Sequence, residues 1–210
     1  MVLDKTSKGI ILTILAMTMF AMQDSLIKFI FEKSSLYEIF LSRYVVAAIL
    51  LFGYLKIRKI NVNLKTNYPY LTIFRVLFHF IAFSAFFVSL TYMPLATANA
   101  LFFSCPFFVS MFATFFLKEF VGIRRWSAIA FGFTGVLIVL NPNFSDFDYK
   151  SLLPVISAFF YAASMTITKY TSDKDNIYTQ MTLLYIFAVF VSLIIYLVSG
   201  DGKFNNFSDP

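Results

Sequence analysis

Six ionisable side chains fall inside or at the edges of long apolar stretches: Asp24, Lys28, Glu38, Arg43, Arg75 and His79. A charge in such surroundings is costly unless it meets a partner or a polar cavity, so each is a candidate for function. Asp24 and Arg43 lie about seven residues from the facing ends of two consecutive stretches, roughly 10 Å deep at about 1.5 Å per residue. That spacing fits either a structural ion pair or a gating contact with a substrate carboxylate. Arg75 and His79 are four residues apart and share one helix face. Arg75 either snorkels to the headgroups or turns that face into the wall of a polar cavity. His79, near mid-depth, is a packing residue or a proton-sensitive site. Gln23, Asn99, Ser104, Tyr161, Ser164 and Thr168 add neutral groups that either hold a polar ligand or bridge helices. The 29 Phe and 12 Tyr would suit an aromatic cage for a cation, although lipid-facing bulk is the plainer reading.

Enzyme chemistry has no comparable support. The sequence contains no Gly-x-Ser-x-Gly, no His-Glu-x-x-His, no glycine-rich phosphate loop and no acidic metal cluster. Neither cofactor nor metal is expected. The single cysteine, Cys105, excludes a disulfide framework and a cysteine-based zinc site. A channel stays open as a reading, but no charged ring or filter-like repeat supports it.

These groups are carried by a very apolar chain. Of 210 residues, 60% are hydrophobic and 13% charged, and mean hydropathy is +0.79. A soluble domain of this size could not hide so much apolar surface. A cytosolic enzyme, a nucleic-acid-binding module and a disordered chain are thereby excluded, and the +6 charge is read against a membrane. Seven stretches approach the roughly 20 residues that cross a bilayer: Gly9–Phe31, Leu36–Leu55, Tyr70–Tyr92, Leu95–Leu117, Trp126–Leu140, Ser151–Thr168 and Thr179–Val198. The expected fold is therefore an all-α integral membrane protein. The first stretch is too long for the core of a cleaved signal peptide and lacks a small-x-small cleavage site.

Orientation follows from the loops. With a cytoplasmic N-terminus, eleven basic residues fall inside: Lys5, Lys8, Lys56, Arg58, Lys59, Lys65, Lys118, Arg124, Arg125, Lys169 and Lys174. Four fall outside: Lys28, Lys33, Lys150 and Lys203. The bias predicts an N-terminus in the cytoplasm.

Shifting the chain by 141 residues lays the sixth and seventh stretches on the first and second. Leu12 meets Leu153, Ala21 meets Ala162, Lys28 meets Lys169 and Lys33 meets Lys174; Tyr37 meets Tyr178, Tyr44 meets Tyr185 and Ala47 meets Ala188. A five-span first unit puts the second upside down, the plan of an inverted-repeat transporter. The expected units are residues 9–141, a partial repeat over 151–199 and a polar tail over 200–210. Two of five spans in the second unit read as a truncated product, or as a compact variant completed by homo-oligomerisation.

The stretch PLATANALFFSCPFFVSMFATFFLKEFVGIRRWSAIAFGFTGVLIVLN holds Ala96, Ala98 and Ala100, then Pro106, Glu119, Trp126, Gly132, Gly135 and Val136. Together with FAMQDSLIK, ending at Lys28, it resembles the EamA domain of the drug/metabolite transporter superfamily. Independently of that resemblance, Ala96 and Ala100, like Gly132 and Gly135, would let helix backbones approach closely in lipid. Pro106 removes a hydrogen bond and kinks the fourth stretch, either structurally or to face a substrate. Trp126 at a helix start reads as an interfacial anchor. The resemblance implies a multi-pass protein of the cytoplasmic membrane that carries a small-molecule substrate by alternating access. It implies a small polar metabolite, an amino acid or a related compound such as S-adenosylmethionine. The rival reading is a non-transporting membrane scaffold or assembly partner.

Overall fold

A computed structural model describes the backbone of residues 5–31, 36–140 and 149–198, and most side chains within them. Outside the described residues lie Lys33, the break after the fifth stretch that opens at Asn141, and the polar tail; so do the side chains of Lys5, Lys8, Lys28 and Val136. The described backbone is helical: α1 Lys5–Phe31, α2 Leu36–Ile57, α3 Pro69–Ser89, α4 Leu95–Phe102, α5 Cys105–Phe116, α6 Ile123–Leu140, α7 Leu152–Thr171 and α8 Ile177–Val198. A single 3-10 turn, Tyr149–Ser151, precedes α7. Six spans are long and apolar enough to cross a membrane among the described residues, with α4 and α5 forming one of them. The 18-residue α6 corresponds to the fifth stretch and begins three residues earlier than expected. The chain is a multi-pass membrane protein.

Local chemistry sets several helix ends. Pro69 opens α3, where its missing N–H would have had no intrahelical partner. Beyond α2 the backbone passes through Lys59 at φ 54°, and Ile60 N–H donates to the Leu55 carbonyl at 3.0 Å. This Schellman-type closure satisfies carbonyls that the helix end leaves free.

The fourth stretch is broken. Pro106 has no N–H for the carbonyl of Phe102, four residues back. The chain tightens there: Ser104 N–H donates to the Leu101 carbonyl at 3.1 Å, and Phe107 N–H to the Ser104 carbonyl at 3.0 Å. The expected kink is thus two helices meeting at Phe103–Ser104. Pro106 itself is exposed and faces away from the interior, so its effect is on Ser104 and Cys105, both buried.

Packing centres on α7, which lies along α3 and α5, and on α8, which lies along α2. Ala158 and Ala162 are fully covered and bring α7 close to its neighbours. In α4 the fully covered small residue is Ala98, not Ala96, which faces outward. Ala98 packs in one cluster with Tyr44, Phe87, Leu90 and Ala188, so the inward face of α4 lies two residues away from the expected one. Gly132 and Gly135 meet open space, with no atom within 4 Å of an added Cβ. The close approach expected at those glycines is absent among the described residues. α1 is exposed from Ile10 to Met22 and enters the packed cluster through Ile27.

The loops sort to two ends. At one end Thr179 donates to the Asn63 carbonyl at 2.9 Å, and Lys169 Nζ meets Glu119 Oε2 at 2.8 Å. These contacts gather the loops that carry most of the basic residues. At the other end Lys150 Nζ lies 4.4 Å from the centroid of the Tyr92 ring.

Candidate functional site

Arg43 is the centre of the polar interior. Its guanidinium carbon lies 4.1 Å from the centroid of the Phe83 ring and 5.6 Å from that of Phe87. It interacts electrostatically with Tyr44, Asp24, Tyr185 and Tyr161, and therefore with four other positions on α1, α2, α7 and α8. Asp24 and Arg43 are thus brought together, although no direct ion pair joins them; the cation rests on aromatic faces instead.

His79 is the second focus. Its ring centroid is 4.6 Å from that of Phe83, one turn on, and 6.4 Å from that of Tyr161. Tyr161 closes the group against Phe83 at 6.3 Å and Phe102 at 5.6 Å. Phe102 ends α4, so the helix break delivers Ser104 and Cys105 to the same region.

Five side-chain atoms in this region are buried and have no hydrogen-bond partner within the protein: Gln23 Nε2, Arg43 NH1, Tyr44 OH, His79 Nδ1 and Ser104 Oγ. Gln23 lies one turn from Ile27, which belongs to the same core cluster as Tyr44 and Phe87. Buried polar atoms are ordinarily paired, and a bilayer supplies no water to pair them. Four segments of the chain thus bring unpaired polar atoms to one aromatic-walled region, the chamber.

The remaining candidates lie elsewhere or are already engaged. Arg75 is engaged within the protein. It is 4% exposed, and its NH2 donates to the Gln180 carbonyl at 2.6 Å. Ser164 is fully buried and donates to the Arg75 carbonyl at 3.1 Å, bridging α7 to α3. Thr168 bonds back to its own helix, donating to the Ser164 carbonyl at 2.8 Å. Asn99 is half-buried in α4, and its main-chain carbonyl accepts the Phe103 N–H at 3.0 Å, beside the break. Trp126 stacks edge-on against Phe107 at 5.6 Å in the first turn of α6.

Sequence reasoning missed Tyr44, Phe83 and Tyr185 as walls of the chamber. Two signals were available: the Tyr44–Tyr185 match in the repeat, and the placement of Phe83 one turn beyond His79. It also missed a polar lock at the basic end. Asp175, 5% exposed, accepts the Asn67 N–H at 2.9 Å, the Asn67 side-chain amide at 2.7 Å and the Thr66 hydroxyl. Burial pushes its carboxyl pKa up, but these hydrogen bonds and the nearby Arg75 outweigh that and hold it below the usual value of 3.8.

A separate groove of about 700 Å³ runs between α3, α5 and α7, lined by Phe74, Phe78, Phe112, Phe116, Phe159 and Tyr170 among others. It is almost wholly apolar and holds none of the candidate residues, so it offers little to a polar solute.

The aromatic chamber, the broken helix and the run of membrane spans define a helical, multi-pass membrane protein with a polar interior. Residues 7–141 match the model of the EamA-like transporter family, and the chain belongs to that family. It is similar to a riboflavin transporter of Rhizobium johnstonii, 40% identical over 106 residues, covering 50% of this chain and 35% of the relative. It is 32% identical to a riboflavin transporter of Vibrio cholerae over 158 residues, 75% of this chain and 53% of the relative. It is 29% identical to an S-adenosylmethionine uptake transporter of Rickettsia felis over 170 residues, 81% of this chain and 58% of the relative. The chain thus spans between about a third and three fifths of the length of these relatives. The family and these relatives are transporters, not enzymes. No solved structure matches.

Proposed function

We propose that the chain carries a small polar metabolite across the cytoplasmic membrane by alternating access, its N-terminus on the cytoplasmic side. The observation that carries this reading is the set of unpartnered polar atoms on Gln23, Arg43, Tyr44, His79 and Ser104 around Tyr161. A membrane protein keeps such atoms buried and unpaired where a solute or its water passes. The discontinuity between α4 and α5 lies at the same place, as broken helices do at the binding sites of secondary carriers. Family membership and the bacterial relatives, named for riboflavin and S-adenosylmethionine, support the substrate size class and the inner membrane.

In this reading α7 and α8 begin an inverted repeat of α1 and α2, and the two units rock about the chamber. Support comes from the pairing of the repeat-related helices α2 and α8, whose matched residues Tyr44 and Tyr185 pack in one cluster. Asp24 and His79 are the groups through which a proton would couple to transport.

The test is uptake by proteoliposomes of radiolabelled riboflavin, S-adenosylmethionine and amino acids, with and without an imposed proton gradient. Accumulation of at least one supports the carrier. Absence of uptake for the whole panel favours the scaffold reading, and uptake indifferent to the gradient removes Asp24 and His79 as coupling groups.

A further inference from the structure

The chamber also carries chemical information about its solute, provided that it is a transport site as read above. Arg43 offers only donors, because a guanidinium has no acceptor. Its NH1 is buried and unpartnered, while its guanidinium carbon lies over the Phe83 ring. A guanidinium held over a ring keeps N–H donors for other partners, and its planar fork matches paired acceptors on a planar partner. The other unpartnered atoms belong to an amide, a phenol, an imidazole and a hydroxyl, all able to complete hydrogen bonds to a ring edge. The walls that face them, Tyr161, Phe83 and Phe102, are flat and aromatic.

A permanent cation fits this arrangement poorly. Among the described residues, Asp24 is the carboxylate coupled to Arg43, and no direct ion pair joins the two. A positively charged solute held at Arg43 would be nearer to the guanidinium than to Asp24, in surroundings of low dielectric.

We propose that the chamber selects an uncharged or anionic planar heteroaromatic solute whose ring edge bears carbonyl or ring-nitrogen acceptors, that Arg43 reads that edge, and that net cations are rejected. The described residues of the site come from α1, α2, α3, α7 and the α4–α5 break.

Binding to the purified full chain in lipid nanodiscs tests this without requiring transport. The probe is lumiflavin, an uncharged fluorescent ring system with two carbonyls, followed by fluorescence quenching. The expected result is saturable quenching that excess S-adenosylmethionine, a net cation with a planar ring, does not reverse. Arg43→Gln should weaken lumiflavin binding at least tenfold, and Arg43→Lys nearly as much, because Lys keeps the charge without the fork. If the variants do not fold, competition on the wild-type chain decides alone. Displacement of lumiflavin by S-adenosylmethionine at similar concentration overturns the proposal, as does wild-type affinity in Arg43→Gln. Lumiflavin binding without any uptake in proteoliposomes would keep this inference and remove the carrier. Uptake of S-adenosylmethionine with no lumiflavin binding would do the reverse.

Discussion

The guanidinium carbon of Arg43 lies over the ring of Phe83, 4.1 Å from its centroid, and so reaches α3 from α2 through an aromatic face and not through a carboxylate. A desolvated cation–π contact of this kind is worth about 2 kcal/mol. Phe83→Leu keeps the apolar volume approximately and removes the quadrupole. It should lower the apparent melting temperature modestly and reduce substrate uptake about tenfold, because NH1 would no longer be held in place. Thermal unfolding in detergent, measured beside proteoliposome uptake, checks both halves. Unchanged uptake would show that the ring does not position the guanidinium.

Asp175 ties the loop after α2 to the loop before α8, through Thr66 and Asn67. Asp175→Ala leaves those donors without their acceptor and should cost about 1–3 kcal/mol. The pH dependence has a definite sign. The carboxyl is held below its ordinary value of 3.8 in the folded chain, so its contribution is complete above that value. It is lost as pH falls through the lowered folded value. The stability difference between wild type and Asp175→Asn should therefore be constant from neutral pH down to about pH 5 and shrink only below about pH 4. Denaturation of the two proteins across that range, in the same detergent, measures it.

How much of this was legible from the residues differs by level. The spans could be read because a bilayer demands continuous apolar length, and that demand is local in sequence. Arg43, Asp24, His79 and Gln23 stood out because polarity is rare in such stretches. Helix rotation was less accessible. In lipid both faces of a span can be apolar, so no amphipathic stripe says which alanine of Ala96, Ala98 and Ala100 points inward. For the same reason Gly132 and Gly135 read as contact residues although they face open space. Arg75 was ambiguous because its partner, the Gln180 carbonyl, lies 105 residues away and is backbone, invisible in side-chain chemistry. The Asp175 lock had no local signature at all, being assembled from two loops.

Ala98 tests the rotation of α4 directly. It is fully covered, against Leu90 and Ala188 of its cluster, whereas Ala96 is exposed. Ala98→Leu should force neighbouring side chains off their preferred rotamers and cost about 1–3 kcal/mol. Ala96→Leu should be close to neutral, since its side chain meets the bilayer. Equal effects of the two substitutions on the apparent melting temperature would mean that α4 is turned differently.

Ser104 separates binding from folding. Its hydroxyl is buried at the α4–α5 break and makes no hydrogen bond within the protein, so Ser104→Ala removes no internal contact. Burying a hydroxyl without a partner costs about 1–3 kcal/mol in proteins, and its removal should leave stability unchanged or raised. A bound solute or ordered water that uses the oxygen would lose one hydrogen bond, worth about 0.5–1.5 kcal/mol, or roughly a two- to twelvefold loss of affinity. The expected pattern is thus a variant as stable as wild type that binds and transports less well. A fall in melting temperature together with unaltered uptake would place the hydroxyl in the scaffold and not in the chamber.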